Sequence, residues 1–306
     1  INLKIENIDN EERMGIDQNR ASLLTHTVRI SKELFPSIFK YIDTAVQKLN
    51  INESKENINF YIKPDSEINA LCYVVPLTNI VDIVFNSRLI ELLNDEELSF
   101  VAGHELAHYL YQHYLYPKPV SALSDLEYTN LNQLSKSAEI SADRLGLISC
   151  GNLKFALQAM LKTATGLPSR YINFNFEAYL DQLKDLKNIK NNTSQLYSTH
   201  PSILNRVQSL IWFSQSDVYG KIINSQEILK LNISDVDEMI NESIKEVIGK
   251  EHTRKNQEVY EKFKLWASIK LFLLDGKFQK SEQQIFQIEF GEEKLKNIIS
   301  FLKDAK

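Results

Sequence analysis

The sequence predicts an α+β fold, predominantly helical, in which a small sheet precedes a long succession of helices. Three observations carry this. Three short runs rich in β-branched and aromatic residues, 58–63, 69–75 and 79–85, have the length and spacing of strands. From residue 87 onward apolar residues recur at helical spacing. A polar stretch at 214–226, SQSDVYGKIINSQ, then separates these helices from a further helical module of about 80 residues.

Taken in order, residues 1–30 are an N-terminal arm, polar and weakly periodic, expected to be extended with little structure of its own. Over 31–49, Leu34, Ile38, Tyr41, Ile42, Ala45 and Leu49 fall on one stripe and predict a helix. The strands INFYIK (58–63), NALCYVV (69–75) and NIVDIVF (79–85) follow, with Pro76 and Asn79 punctuating the last two as a hairpin. Helices are expected at 88–93, 95–115, 123–149 with a break, 152–165, 174–187 and 202–214. These elements define one domain over 31–215 and an all-helical C-terminal domain over 216–306.

Hydrophobic residues make up 43% of the 306 and charged residues 25%, the balance of an ordinary globular protein. A net charge of −5 without a basic block argues against a nucleic-acid partner. The longest apolar runs, such as IKLFLL (269–274), fall far short of the roughly 20 residues of a transmembrane segment. Cys72 and Cys150 make no metal pattern, and two isolated cysteines fit a reducing compartment. With no signal peptide visible, the expected location is cytoplasmic. The first residue is Ile, not Met, which leaves room for a removed leader and a periplasmic location.

The residues richest in chemistry are HELAH, 104–108. His104 and His108 are four apart and project from one helical face, where two imidazoles can share one zinc ion. Glu105 stands beside them, where a carboxylate can take a proton from a metal-activated water. The surrounding helix (94–114) has Asn94 or Asp95 as N-cap and acids in its first turn. Leu98, Val101, Ala102, Leu106, Ala107 and Leu110 flank the histidine face, so the helix is expected to be largely buried. Two buried histidines need polar partners or a metal. The alternative is a helix with two histidines and no ion.

A zinc hydrolase needs a third ligand. The metzincin positions for Gly and His hold Tyr111 and Tyr114, which excludes that class, and His113 reads as a solvated helix-end histidine. Glu139 is the better candidate, in KSAEISADRLGL (136–147). Glu139 and Asp143 share a helical face; with Glu139 on the metal, Asp143 could accept the outer N–H of a ligating histidine. On EISAD alone, a solvated acidic face is the favoured reading.

HELAH followed by EISAD resembles the HExxH and ExxAD pair of the CAAX-protease/HtpX-like gluzincin metallopeptidases. INA (68–70), the helix entry NSRLIELLNDEELSFVAGHELAH (86–108) and THPSILNRV (199–207) resemble further elements of that family, in the same order. The resemblance spans roughly 58–212. It implies a gluzincin-type zinc peptidase domain with its small sheet beside the site helix. It also implies one zinc per chain, held by His104, His108 and Glu139, with Glu105 as general base. Asp143 would orient a ligand. His200 and Arg206 would approach the site, steadying an oxyanion or Asp143. His200-Pro201 also suits an ordinary helix start with Thr199 as N-cap. The family's membrane branch does not fit, and the glycine-rich stretch after INA is replaced by LCYVVPLTNIVDIVF.

In the C-terminal region, LWASIKLFLLDGKFQKSEQQIF (265–286) resembles a TerB-like helical domain through Asp275, Gly276 and Glu282, although a generic helical bundle reads the same way. The expectation is a zinc-dependent endopeptidase acting on protein or peptide substrates. A regulatory partner would dock on 216–306. Hydrolysis of a non-peptide amide or ester is one alternative; a non-catalytic or latent zinc scaffold, its cleft covered by the arm or by 115–133, is another.

Overall fold

The computed structural model of the chain describes residues 10–51, 57–75, 78, 80–117, 125–188, 201–224, 231–248, 263–269, 272 and 278–304. Two compact units divide the chain after Ile248. The structure is mostly helical with one small mixed sheet, so the α+β class holds.

The first unit opens with helix α1 (Asn10–His26) and the short strand β1 (Val28–Arg29). Helix α2 (Pro36–Lys48) begins on a proline, whose missing N–H costs nothing in a first turn. Strands β2 (Ile58–Lys63), β3 (Ala70–Val74) and β4 (Val81–Asn86) fall on the three predicted runs. The expected hairpin forms: β3 pairs with β4 antiparallel, from Ala70 opposite Phe85 to Val74 opposite Val81. Strand β2 joins β4 in parallel, and the sheet order is β1-β2-β4-β3.

Every residue of β4 is buried, as expected of a strand covered on both faces. The buried Asp82 carboxylate accepts a hydrogen bond from Asn59 at 3.0 Å and lies 3.7 Å from an Arg20 amine of α1. Strand β3, at the sheet edge, keeps Ala70 inside and exposes Leu71 and Tyr73.

Helices α3 (Ser87–Leu92), α4 (Asp95–Leu110), α5 (Asp125–Cys150), α6 (Leu153–Thr165) and α9 (Ile203–Ser214) build the core around the sheet. Between α6 and α9 come two short helices, α7 (Phe176–Leu180) and α8 (Gln182–Asn188). Helix α4 is the hub. It packs on α2, α5, α6 and β3, and every residue from Glu97 to Ala107 is buried. Asn94 caps it reciprocally: its side chain accepts from the Glu97 N–H at 2.8 Å, and Glu97 accepts from the Asn94 N–H at 2.9 Å.

Four expectations change. The N-terminal arm is not extended, because residues 10–26 form α1. Among the described residues the expected break within 123–149 does not appear, since α5 runs unbroken from Asp125 to Cys150. The single helix at 174–187 is two, α7 and α8. The first unit does not end near residue 215. The polar stretch there contains α10 (Asp217–Ile222), capped by buried Ser216, and leads into α11 (Ile233–Ile248). Tyr219, Val236 and Ile240 join the main core. A capped, half-apolar turn reads as a linker when only its polar residues are counted.

The second unit contains a helical stretch α12 (263–269), α13 (Lys280–Phe290) and α14 (Glu292–Asp304). Ile269, Phe286 and Leu295 form its core, with the Phe272, Phe278 and Phe290 rings around Phe286. Glu282 has a local role here: its carboxylate accepts the Gln279 N–H at 2.7 Å and caps α13. Asp275 and Gly276, the other residues of the TerB-like resemblance, lie outside the described residues. Among the described residues no helix is long and apolar enough to cross a membrane.

Candidate metal centre

The site forms where α4, α5 and α9 meet. Two glycines permit the approach of α4 and α5. A Cβ on Gly103 would sit 2.0 Å from the Ser149 hydroxyl oxygen, and one on Gly146 would sit 2.8 Å from the Phe100 carbonyl oxygen. At this crossing α4 presents His104, Glu105 and His108, and α5 presents Glu139 and Asp143. An isolated glycine inside each of two helical patterns is the sequence signal that could have pointed to it.

His104, His108 and Glu139 each offer one ligand atom, and these atoms lie within 4.8 Å of one another. The two imidazole Nε2 atoms are 3.2 Å apart. The Glu139 oxygens lie 3.5 Å from His104 Nε2 and 3.6 Å from His108 Nε2. Ligands bonded to zinc at ~2.0–2.1 Å in a tetrahedron stand roughly 3.3–3.4 Å from one another. The spacing and the two-nitrogen, one-oxygen donor set therefore fit a zinc ion.

The outer hydrogen bonds agree. His104 Nδ1 donates to Asp143 at 3.0 Å, which turns Nε2 toward the cluster. Arg206, from α9, grips Asp143 with two hydrogen bonds, Nε to one carboxylate oxygen at 2.8 Å and Nη2 to the other at 2.6 Å. Its Nη1 lies 3.4 Å from Glu139. The solvated acidic face is thus ruled out: Glu139 and Asp143 are 8% and 1% exposed.

The buried acids around His104, His108 and Glu139 favour positive charge on His104. Burial works against charging His104, but hydrogen bonds to Asp143 and Glu139 outweigh it and raise its pKa to about 10. Burial and the neighbouring His104 hold His108 neutral, at about 3. A metal ion would take the place of the proton on His104. Burial raises Glu105 to about 7; His104 opposes this, Glu139 adds to it, and the main-chain N–H of Cys72 on edge strand β3 opposes it by hydrogen bonding. A cavity of about 240 Å³ opens beside His104 and Glu105. Ile68, Asn69 and Ala70, the INA segment, line it together with Phe100, Met160 and Arg206.

Of the residues singled out in the sequence, His104, Glu105, His108, Glu139, Asp143 and Arg206 come together here. His200 and Thr199 lie outside the described residues. The N-cap of α9 is Ser202, whose hydroxyl accepts the Asn205 N–H at 3.2 Å. Within 115–133, residues 118–124 are outside the described residues, and α5 begins at Asp125. His113 is a correction. It is half-buried, and its Nδ1 lies 2.9 Å from His108 Nδ1. The sequence reading also missed Lys162, which donates to buried Glu97 at 2.6 Å and ties α6 to the start of the site helix.

Two histidines one turn apart on a buried helix, a carboxylate from the next helix and a further acid beside them are the working parts of a metallopeptidase. The chain belongs to peptidase family M48, whose model matches residues 34–117 and 118–211, more than half of its length. Among curated proteins it is 26% identical over 222 residues to the plastoglobule-localized metallopeptidase 48 of Arabidopsis thaliana, covering 64% of this chain and 62% of the relative. It is 34% identical over 73 residues to an uncharacterised protein of Methanocaldococcus jannaschii, covering 24% of this chain and 63% of that protein. The chain therefore spans a little over three fifths of these relatives. No solved structure matches it significantly.

Proposed function

We propose that the protein is a zinc-dependent endopeptidase of the gluzincin type, with His104, His108 and Glu139 holding one zinc ion and Glu105 acting as general base. The observation that carries this is the buried His104–His108–Glu139 cluster with ligand atoms at zinc-site spacing. Bound zinc supplies Lewis acidity, lowering the pKa of a water and polarising a peptide carbonyl. Glu105, raised to about 7 by burial, is suited both to accept a proton at its carboxylate and to return it to a leaving amine. Asp143 holds the Nδ1 proton of His104, and Arg206 holds Asp143 in place. Arg206 commits Nε and Nη2 to that carboxylate, which favours a positioning role over direct contact with an oxyanion. His200 is left as the residue assigned to positive charge near the oxyanion.

The substrate in this reading is an extended peptide. Among the described residues β3 is the terminal strand of the sheet, and its Cys72 N–H bonds Glu105, so a peptide pairing along β3 would run beside Glu105 and the cavity next to His104. The C-terminal unit is assigned a docking or sensing role for a regulatory partner, the reading that goes with its TerB-like resemblance.

The test is Glu105→Gln. It keeps one zinc per chain by elemental analysis and loses about 10²–10⁴-fold of hydrolysis of a quenched peptide. Wild-type turnover by this variant overturns the role of Glu105. A wild-type chain that binds no zinc overturns the whole reading.

A further inference from the structure

We infer that His113 is a positioning residue for this metal centre, fixing the tautomer and ring plane of His108 while Ser141 anchors its far nitrogen. The inference rests on the zinc-site reading above.

His108 turns Nε2 toward His104 and Glu139. For Nε2 to offer a lone pair, the ring proton must sit on Nδ1. That atom lies 2.9 Å from His113 Nδ1. His108 therefore donates and His113 accepts, which places the proton of His113 on its own Nε2. His113 Nε2 is 3.3 Å from the Ser141 hydroxyl oxygen, and that hydroxyl donates to the Ala138 carbonyl at 2.8 Å. Each donor meets one acceptor, and no member of the chain carries charge. Helix α5 thus orients both histidines: His104 directly through Asp143, and His108 through Ser141 and His113.

The backbone is bent to allow this. On a continuous helix, residues five apart point about 140° away from each other. Helix α4 instead stops at Leu110, and Gln112 adopts the left-handed conformation, with φ 55° and ψ 36°. The turn swings His113 back over His108, their ring centroids 5.0 Å apart. The Tyr111 and Tyr116 rings lie against the His113 ring, with centroids at 5.6 and 5.2 Å.

The experiment measures zinc affinity of the full chain by competition with a chromophoric chelator. His113→Phe fills the same space without an acceptor and weakens zinc binding by about 10–100-fold. His113→Asn places a carboxamide oxygen near the lost Nδ1 and restores most of the affinity. If the ring only packs, the order reverses, with Phe tolerated and Asn weak; that result overturns the inference, as does His113→Phe binding zinc within twofold of wild type. Long-range proton–nitrogen NMR on zinc-loaded wild-type protein tests the same point without a variant. Protons on His108 Nδ1 and His113 Nε2 support the relay, and a proton on His113 Nδ1 refutes it. A wild-type chain that binds no zinc removes the zinc-site reading itself, a failure distinct from that of the relay.

Discussion

Glu97 is fully buried at the first turn of the site helix, and two groups share one of its oxygens. The Asn94 N–H donates to it at 2.9 Å and the Lys162 ammonium at 2.6 Å. Lys162 is itself 3% exposed. Removing one partner of a buried ion pair leaves the other uncompensated, a loss of about 3–5 kcal/mol. Lys162→Ala is therefore expected to lower the urea midpoint strongly, and Lys162→Met with Glu97→Gln to recover much of the loss. Equal midpoints for Lys162→Ala and wild type would refute this. The Asn94 cap was legible in the sequence, but the ion pair was not, because Lys162 is 65 residues from Glu97 and reads as the polar edge of an ordinary helix. HELAH was legible because its chemistry is local: an i, i+4 pair shares a face on any helix. His113 was misread for the same reason in reverse. Its contact with His108 exists only because the helix breaks, and Gln112 gives no glycine signal for that break.

At the scale of elements, the close crossing of α4 and α5 controls where Glu139 and Asp143 stand relative to the histidines. Gly146 lies three residues beyond Asp143, and its hydrogen faces the Phe100 carbonyl and ring at 2.8–2.9 Å from an added Cβ. Gly146→Ala is expected to destabilise the fold by about 1–3 kcal/mol through overpacking. It should also weaken zinc binding, since relief requires α5 to move away from α4. Thermal melts with and without chelator check both effects; an unchanged melting point in both conditions counts against a tight crossing. The strands were readable from composition, and β2 coincides with its predicted bounds because a short run rich in β-branched and aromatic residues favours an extended chain. Strand β1, two residues long, and α1, polar with weak periodicity, carried no comparable signal.

For the molecule as a whole, the division into two units falls after Ile248. Helices α10 and α11 complete the core of the first unit, with Val236 fully buried and Tyr219 and Ile240 5% exposed. Each such side chain contributes on the order of 1.5–3 kcal/mol of burial. A chain ending at 248 is expected to unfold cooperatively and to retain zinc. One ending at 215 should melt several degrees lower or fail to fold. Matching melting curves for the two would return the boundary to residue 215.

By itself the sequence determined the fold class, the succession of β2, β3 and β4 and of the main helices after them, and four candidate residues that the HELAH spacing and one resemblance made visible: His104, Glu105, His108 and Glu139. These depend on spacing along the chain, which local geometry translates directly into position. The tertiary structure alone decided that α1 is a helix, that α10 and α11 belong to the first unit, that of its two expected roles Arg206 takes the grip on Asp143, and that His113 and Ser141 stand behind His108. Those arrangements depend on contacts between segments distant in the chain and on one left-handed turn. Packing between elements settles such features, and no local periodicity encodes them.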